Sequence, residues 1–255
     1  MRSYGIIIFA RDTGHFLTET LNRINYSIVN SGIESVSIIV VDDGSRHSIN
    51  LSELEMKLNL EEAERKFKLD IVRCEESQGL GNAFRIGCER LLELENNPFL
   101  LVTQLPGNDQ VQEDSITTLL KSSTEQSVLA TWRDNFEIRP LPKRTVSTLM
   151  HFVVRVFLFP QVKQFTSNFT VPLWLAIKYV PKDSRHAFGL WLLYGAHQEG
   201  LSLRQLPISL VSDYGRRPRS LSIRKWHRPS DLVFFGLNFF RILRISQRMK
   251  FNSLK

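Results

Sequence analysis

Short, unbroken aliphatic runs alternate with helical patterns over roughly the first 130 residues, and this alternation limits the possible folds more than any other feature of the chain. Tyr4 to Ala10, Ser35 to Val41, Leu69 to Cys74, Phe99 to Thr103 and Val128 to Thr131 read as strands. A strand that is apolar at nearly every position is covered on both faces, as in a parallel sheet with helices above and below. Between the strands, Leu17, Leu21, Ile24 and Ile28 recur at helical spacing, as do Ala83, Gly87, Leu91 and Leu94. The stretch 51–68, rich in Glu, Lys and Leu, reads as a solvated amphipathic helix. The expectation is an α/β fold: a mostly parallel, Rossmann-like central sheet with helices on both faces and a helical C-terminal elaboration.

No internal repeat or Gly/Ser linker divides the chain. Two close prolines in the RPLPK segment at 139–143 interrupt the pattern, and beyond them the sequence turns helical and aromatic-rich. A soft boundary near residue 132 therefore separates an α/β region, 1–132, from a region 133–225, followed by a basic amphipathic helix over 226–255.

Three strand-end motifs carry the chemistry. Val40-Val41-Asp42-Asp43-Gly44-Ser45 ends an apolar strand abruptly in two carboxylates, a glycine and a hydroxyl. Ligands of open α/β sheets collect at such carboxyl ends, where a carboxylate accepts hydrogen bonds from a base or a ribose. Gln78-Gly79-Leu80-Gly81-Asn82-Ala83-Phe84-Arg85 follows the third strand and opens a helix, offering close backbone approach and free N–H groups. Its glycines do not fit the dinucleotide fingerprint. Pro106-Gly107-Asn108-Asp109 closes the fourth strand, and the oxygens of Asn108 and Asp109 suit Mg²⁺ or Mn²⁺ on a diphosphate. Taken singly, these are also an Asp-Gly turn, a helix cap and a Pro-Gly turn.

Charge is unevenly distributed. Leu201 to Lys255 holds 12 Lys and Arg against two acids, Asp213 and Asp231, in a chain of net charge +7. An anionic partner is implied for this part: phosphate groups, nucleic acid or an acidic membrane face. Nucleic acid would leave the three strand-end motifs without a role. Cys74 and Cys88 have no metal-ligand spacing and read as buried thiols of a reducing compartment. His151, His186 and His197 also lack ligand spacing. The apolar run before Arg11 and Asp12 is too short for a signal peptide, so the expected location is cytoplasmic. Val146 to Phe159 and Leu232 to Phe240 are too short or too charged to span a bilayer, but Phe234, Phe235, Phe239 and Phe240 beside Arg241, Arg244 and Arg248 suit either peripheral membrane contact or a C-terminal helix packed on the core or on a second subunit.

In order and spacing, the three motifs resemble family 2 glycosyltransferases of the glycosyltransferase-A fold, in particular those that glycosylate polyprenyl or dolichyl phosphates. The Val40 to Ser45 segment resembles the family's V-D-D-G-S motif, and Gly79 to Arg85 its N-x-G-x-G-x-A-x-R segment. Thr131-Trp132-Arg133 is similar to the family's G-S-R, and Tyr214 to Ser220 loosely resembles its closing R-x-x-G-x-S loop. The resemblance implies an inverting transferase that moves a sugar from a nucleotide-diphosphate donor to a lipid-phosphate acceptor. Ala10, Asp12, Asp42, Asp43, Gly79, Gly81 and Arg85 would line the donor site. Asn108 and Asp109 would meet the diphosphate and any cation, with Asp109 and Arg133 closest to the chemistry. Arg139, Arg144, Arg216 and Arg217, with Arg133, would gather acceptor phosphate, because guanidinium forks match phosphate oxygens.

The chain also departs from the family. Pro106-Gly107-Asn108 stands where the family carries D-x-D, and Phe9-Ala10-Arg11-Asp12 where it often carries P-x-Y-N-E. Three readings of the first departure stay open: a cation held mainly by the donor's phosphates, metal-free binding of the diphosphate, or lost activity. The alternatives in other classes are a catalytically inert nucleotide-sugar-binding scaffold of a polysaccharide pathway and a nucleotidyltransferase. For the latter, no lysine-bearing glycine-rich loop lies near the N-terminus. Sugar, base, acceptor and oligomeric state are not legible at this level.

Overall fold

The computed structural model describes residues 3–58, 67–98, 100–108, 111–134, 141–162, 168–211 and 229–252. The elements in chain order are β1 (Ser3–Ala10), α1 (Phe16–Ser31), β2 (Ser35–Asp43), α2 (Leu51–Leu58), β3 (Lys68–Cys74), α3 (Leu80–Glu95), β4 (Leu101–Pro106), α4 (Glu113–Ser122), β5 (Ser127–Arg133), α5 (Leu141–Phe157), β6 (Phe169–Pro172), α6 (Leu173–Tyr179), α7 (Phe188–Gln198), β7 (Ser202–Ile208) and α8 (Pro229–Asn252).

All seven strands join one sheet in the order β3-β2-β1-β4-β6-β5-β7. β1 is parallel to β2 and β4, β2 to β3, and β5 to β7, while β6 runs antiparallel between β4 and β5. Six strands therefore point the same way, and their carboxyl ends share one edge. The sheet continues through residue 132, which lies within β5.

The unbroken aliphatic runs are explained by burial on both faces. Ile7, Ile39 and Val41 pack on the side of α3 and α7, whereas Ile6, Ile8, Ile38 and Val40 pack on the side of α1 and α4. Leu17, Leu21, Ile24 and Ile28 are all buried, as their spacing requires. In α3 the buried face is Ala83, Phe84, Gly87, Cys88 and Leu91; Leu94, expected on that face, is 46% exposed, because at that turn Glu95 faces the sheet instead and accepts from Ser37 Oγ of β2.

Two strands escaped sequence reading. β6 has only four residues, and β7 alternates Ser202-Leu203-Arg204-Gln205 and contains Pro207. β7 is an edge strand, where a missing N–H and polar outward residues are tolerated. The helix expected over 51–68 is formed at Leu51–Leu58, and 59–66 lie outside the described residues.

Tyr4, near the amino end of β1, anchors a polar cluster inside the core. Its hydroxyl lies 2.6 Å from Thr103 Oγ1 and 3.0 Å from Ser123 Oγ, and Thr103 Oγ1 lies 2.6 Å from Thr170 Oγ1. Burial pushes the Tyr4 phenol above its ordinary value, so it stays a neutral donor at physiological pH.

Candidate functional site

The carboxyl edge of the sheet is held together by hydrogen bonds between loops from successive strands. Asp42 is fully buried at the end of β2; its Oδ1 accepts from Ser45 N at 2.9 Å, and its Oδ2 accepts from Arg73 Nη1 at 3.0 Å. Arg73, at the end of β3, also donates to the carbonyl of Ser45. Next to it, Asp43 accepts from Gln78 N at 2.6 Å and from Ser77 Oγ at 2.8 Å. The two carboxylates thus shape the loops after β2 and β3. Each still has lone-pair capacity, since an ionised carboxylate offers about four acceptor positions.

The loop after β1 joins the same frame. Asp12 N donates to Ser45 Oγ at 3.0 Å, and Asp12 Oδ1 accepts from Arg46 N at 2.9 Å. Asp12 adopts a left-handed φ of 50°, a conformation that aspartate tolerates better than most side chains. Ala10 is buried at the strand end, and Gly107 N donates to the Phe9 carbonyl, drawing the β4 turn against β1.

At Gly44 and Gly81 a side chain is sterically excluded by the neighbouring loops. Gly44 has φ +73°, and a Cβ there would lie 2.8 Å from Ser77 N. A Cβ on Gly81 would collide with Ser184 Oγ and lie 2.7 Å from Arg185 N. The chain between α6 and α7 therefore crosses directly over the start of α3, with the Arg185 side chain against Gly79. Arg185 has a left-handed φ of 45° and stacks on the Phe234 ring of α8 at 3.8 Å. Neither Ser184 nor Arg185 carried any signal of its own in the sequence; the pair of glycines that admits them did.

The Arg85 side chain is engaged by Glu89 and by α6. It donates to the carbonyls of Ile177 and Val180 at 2.9 and 2.7 Å and pairs with Glu89, so here it closes the carboxyl end of α6. Arg133 ends β5 in register with Ile208 of β7, and Arg144 lies in the first turn of α5, both half-buried. Asp109, Arg139, Arg216 and Arg217 lie outside the described residues. The chain on either side of them is placed. Val111 bridges Leu210, and Gln112 Nε2 donates to the Leu210 carbonyl at 3.1 Å, so Val111 and Leu210 lie side by side.

Several buried polar atoms at or near this edge lack a hydrogen-bond partner: Arg11 Nε, Asn82 Oδ1, Gln104 Oε1, Asn108 Oδ1 and Ser184 Oγ. A buried polar atom without a protein partner is costly, and water, an ion or a ligand supplies the missing bond. Among the described residues no group of three His, Cys, Asp or Glu comes together to hold a metal. What the edge offers a cation is the neutral amide oxygen Asn108 Oδ1, which fits an ion whose charge is balanced mainly by a bound diphosphate.

No protein-family model and no curated protein matches the sequence. Solved structures match its fold. TarS 1-349 of S. aureus in complex with UDP-GlcNAc has a TM-score of 0.54 at 13% identity, covering 89% of this chain and 62% of that one. A mycobacterial protein has a TM-score of 0.52 at 16% identity, covering 87% and 70%. Glucosyl-3-phosphoglycerate synthase of M. tuberculosis has a TM-score of 0.50 at 12% identity, covering 87% and 75%. The chain thus spans less than two thirds of the TarS fragment's length, and it has the glycosyltransferase-A fold.

Proposed function

We propose that the protein is a glycosyltransferase that moves a sugar from a nucleotide-diphosphate donor to an acceptor, with polyprenyl phosphate as the acceptor and inversion at the anomeric carbon. The observation that carries this reading is the set of partnerless buried polar atoms at or near the edge built by Asp12, Asp42, Asp43 and Gly79–Gly81. The fold shared with TarS, which binds UDP-GlcNAc in its own structure, supports the donor class.

In this mechanism the remaining lone pairs of Asp43, with Asp12 and Ala10, hold the nucleoside, while Asp42 keeps the loop around Ser45 in shape. Arg11, Asn108 and Asp109 meet the diphosphate. A Mg²⁺ or Mn²⁺ ion, when bound there by Asn108 and Asp109, would supply positive charge to the leaving group. Fixed donors around the departing diphosphate stabilise charge as it develops, and the bound geometry supplies proximity. A phosphate monoester is largely dianionic near neutral pH, so a phosphate acceptor attacks without a general base. Arg133 and Arg144, with Arg139, Arg216 and Arg217, gather that acceptor. The reaction takes place in the cytoplasm.

A catalytically inert nucleotide-sugar-binding protein is the second reading, favoured by Pro106-Gly107-Asn108 in place of a paired-aspartate motif. Calorimetric titration with UDP, GDP and their sugar conjugates, with and without Mn²⁺, tests both. Binding of one nucleotide together with donor turnover on adding polyprenyl phosphate establishes the transferase. Binding without turnover establishes the inert reading, and no binding in any arm rejects the site.

A further inference from the structure

Helices α5 and α8, more than seventy residues apart in sequence, meet through the Phe157 and Phe239 rings. Their inner faces share one core: Val154 from α5 and Phe239 and Ile242 from α8 are buried in it. Their outer faces are apolar as well. On α5, Leu149, Phe152 and Val156 follow helical spacing outward; on α8, Val233, Leu237 and Phe240 do so, and each of the six is more than half exposed. The two helices are linked where the Phe157 ring at the end of α5 meets the buried Phe239 edge-on at 6.4 Å, and Phe239 in turn meets Phe240 of the outer stripe at 5.6 Å. Single exposed apolar residues are ordinary; a row on each of two adjacent helices marks an interaction surface.

The charges around it select the partner. Arg155 is exposed on α5, and Arg241 and Arg244 are exposed on α8, with Arg244 one turn beyond Phe240 on the same stripe. α5 contains no acidic residue, and α8 contains only Asp231. Arg241 lies 3.8 Å from Asp183, in a loose pair exposed on both sides. A second copy docked here about a two-fold axis would set arginines against arginines with few acids to offset them. An anionic lipid surface meets both requirements, since it takes apolar side chains into the acyl boundary and arginines among its phosphates.

We propose that the joint α5/α8 face seats the protein on an anionic membrane surface. α8 reaches the carboxyl edge of the sheet through Phe234, on which Arg185 stacks while lying against Gly79. A protein seated by this face presents that edge close to the lipid headgroups. The proposal needs no donor chemistry, and its test uses neither nucleotide nor acceptor, so it can fail while the transferase reading stands, and the reverse.

The experiment is co-sedimentation of the full chain with vesicles of phosphatidylcholine alone and of phosphatidylcholine mixed with phosphatidylglycerol, at low and high salt. The expected result is binding to the anionic vesicles, weakened by salt. The doubly substituted variant Phe152→Glu with Leu237→Glu alters two exposed side chains, so its thermal midpoint should match the parent, and its vesicle affinity should fall about tenfold or more. A second variant, Arg241→Gln with Arg244→Gln, should lose mainly the preference for anionic vesicles. Absence of vesicle binding at low salt, or equal binding by the Glu variant, overturns the proposal. So does a dimer in sedimentation velocity that the Glu variant dissolves while vesicles stay unbound, which would assign the face to a second copy.

Discussion

Two polar clusters sit in the same sheet and differ in one respect. Around Tyr4, the hydroxyls of Thr103, Ser123 and Thr170 satisfy one another inside the core. At and near the carboxyl edge, Arg11, Gln104, Asn108 and Ser184 each present a buried atom with no partner. Saturated groups hold a fold together, whereas unsaturated ones hold something else. Place alone does not make the distinction, because Asp42 lies at the same edge with each of its carboxylate oxygens already accepting a bond, from Ser45 and from Arg73.

Asp42→Ala should have the largest effect and breaks any simple division between edge and interior. It strips partners from Arg73 and from the Ser45 N–H, and should cost about 3 kcal/mol in urea unfolding with an unchanged m-value. Tyr4→Phe leaves Thr103 and Ser123 short of one partner, and should cost about 1–2 kcal/mol while nucleotide affinity by calorimetry stays the same. Asn108→Ala should do the opposite, shifting stability by less than about 0.5 kcal/mol and weakening binding of a nucleoside diphosphate about tenfold. Equal stability losses in Tyr4→Phe and Asn108→Ala would erase the contrast.

The smallest effect is a pH dependence. Burial pushes the thiols of Cys74 and Cys88 up, Cys88 strongly, and Asp43 and Asp42 add to the rise at Cys74. In the unfolded chain both ionise near the ordinary value of 9.0, while folded they keep their protons. Their contribution is therefore present below that pH and lost as pH rises through it toward the folded values. Replacing both by Ala should flatten the alkaline limb of the stability profile.

The first five strands were legible because each is an aliphatic run between turn signals, and α1 because Leu17, Leu21, Ile24 and Ile28 repeat at one helical period. β6 was hidden by its four-residue length, and β7 by the polar alternation and proline that an edge position permits. At the site, the loop-framing residues announced themselves as strand ends. What could not be read was the direction of individual side chains. Arg85 sits inside a glycine-rich segment yet turns to the α6 carbonyls, and Ser184 and Arg185 reach the edge from a segment about a hundred residues downstream. Sequence periodicity reports which face of an element is buried, but not which distant loop will cover it.

The antiparallel β6 has a consequence for how the molecule assembles. β4 and β5 are neighbours in sequence, but they are separated in the sheet by a strand that follows both α4 and α5 in the chain. Until Phe169–Pro172 arrives, β4 keeps an open edge and β5 has no partner on that side. The nascent amino-terminal half is thus an unfinished template with an exposed strand, the kind of edge that recruits other chains. Closure waits for contacts of long sequence separation, which form slowly. A fragment ending at residue 134 should aggregate, and the same residues in the whole chain are protected only after the second half has folded onto them.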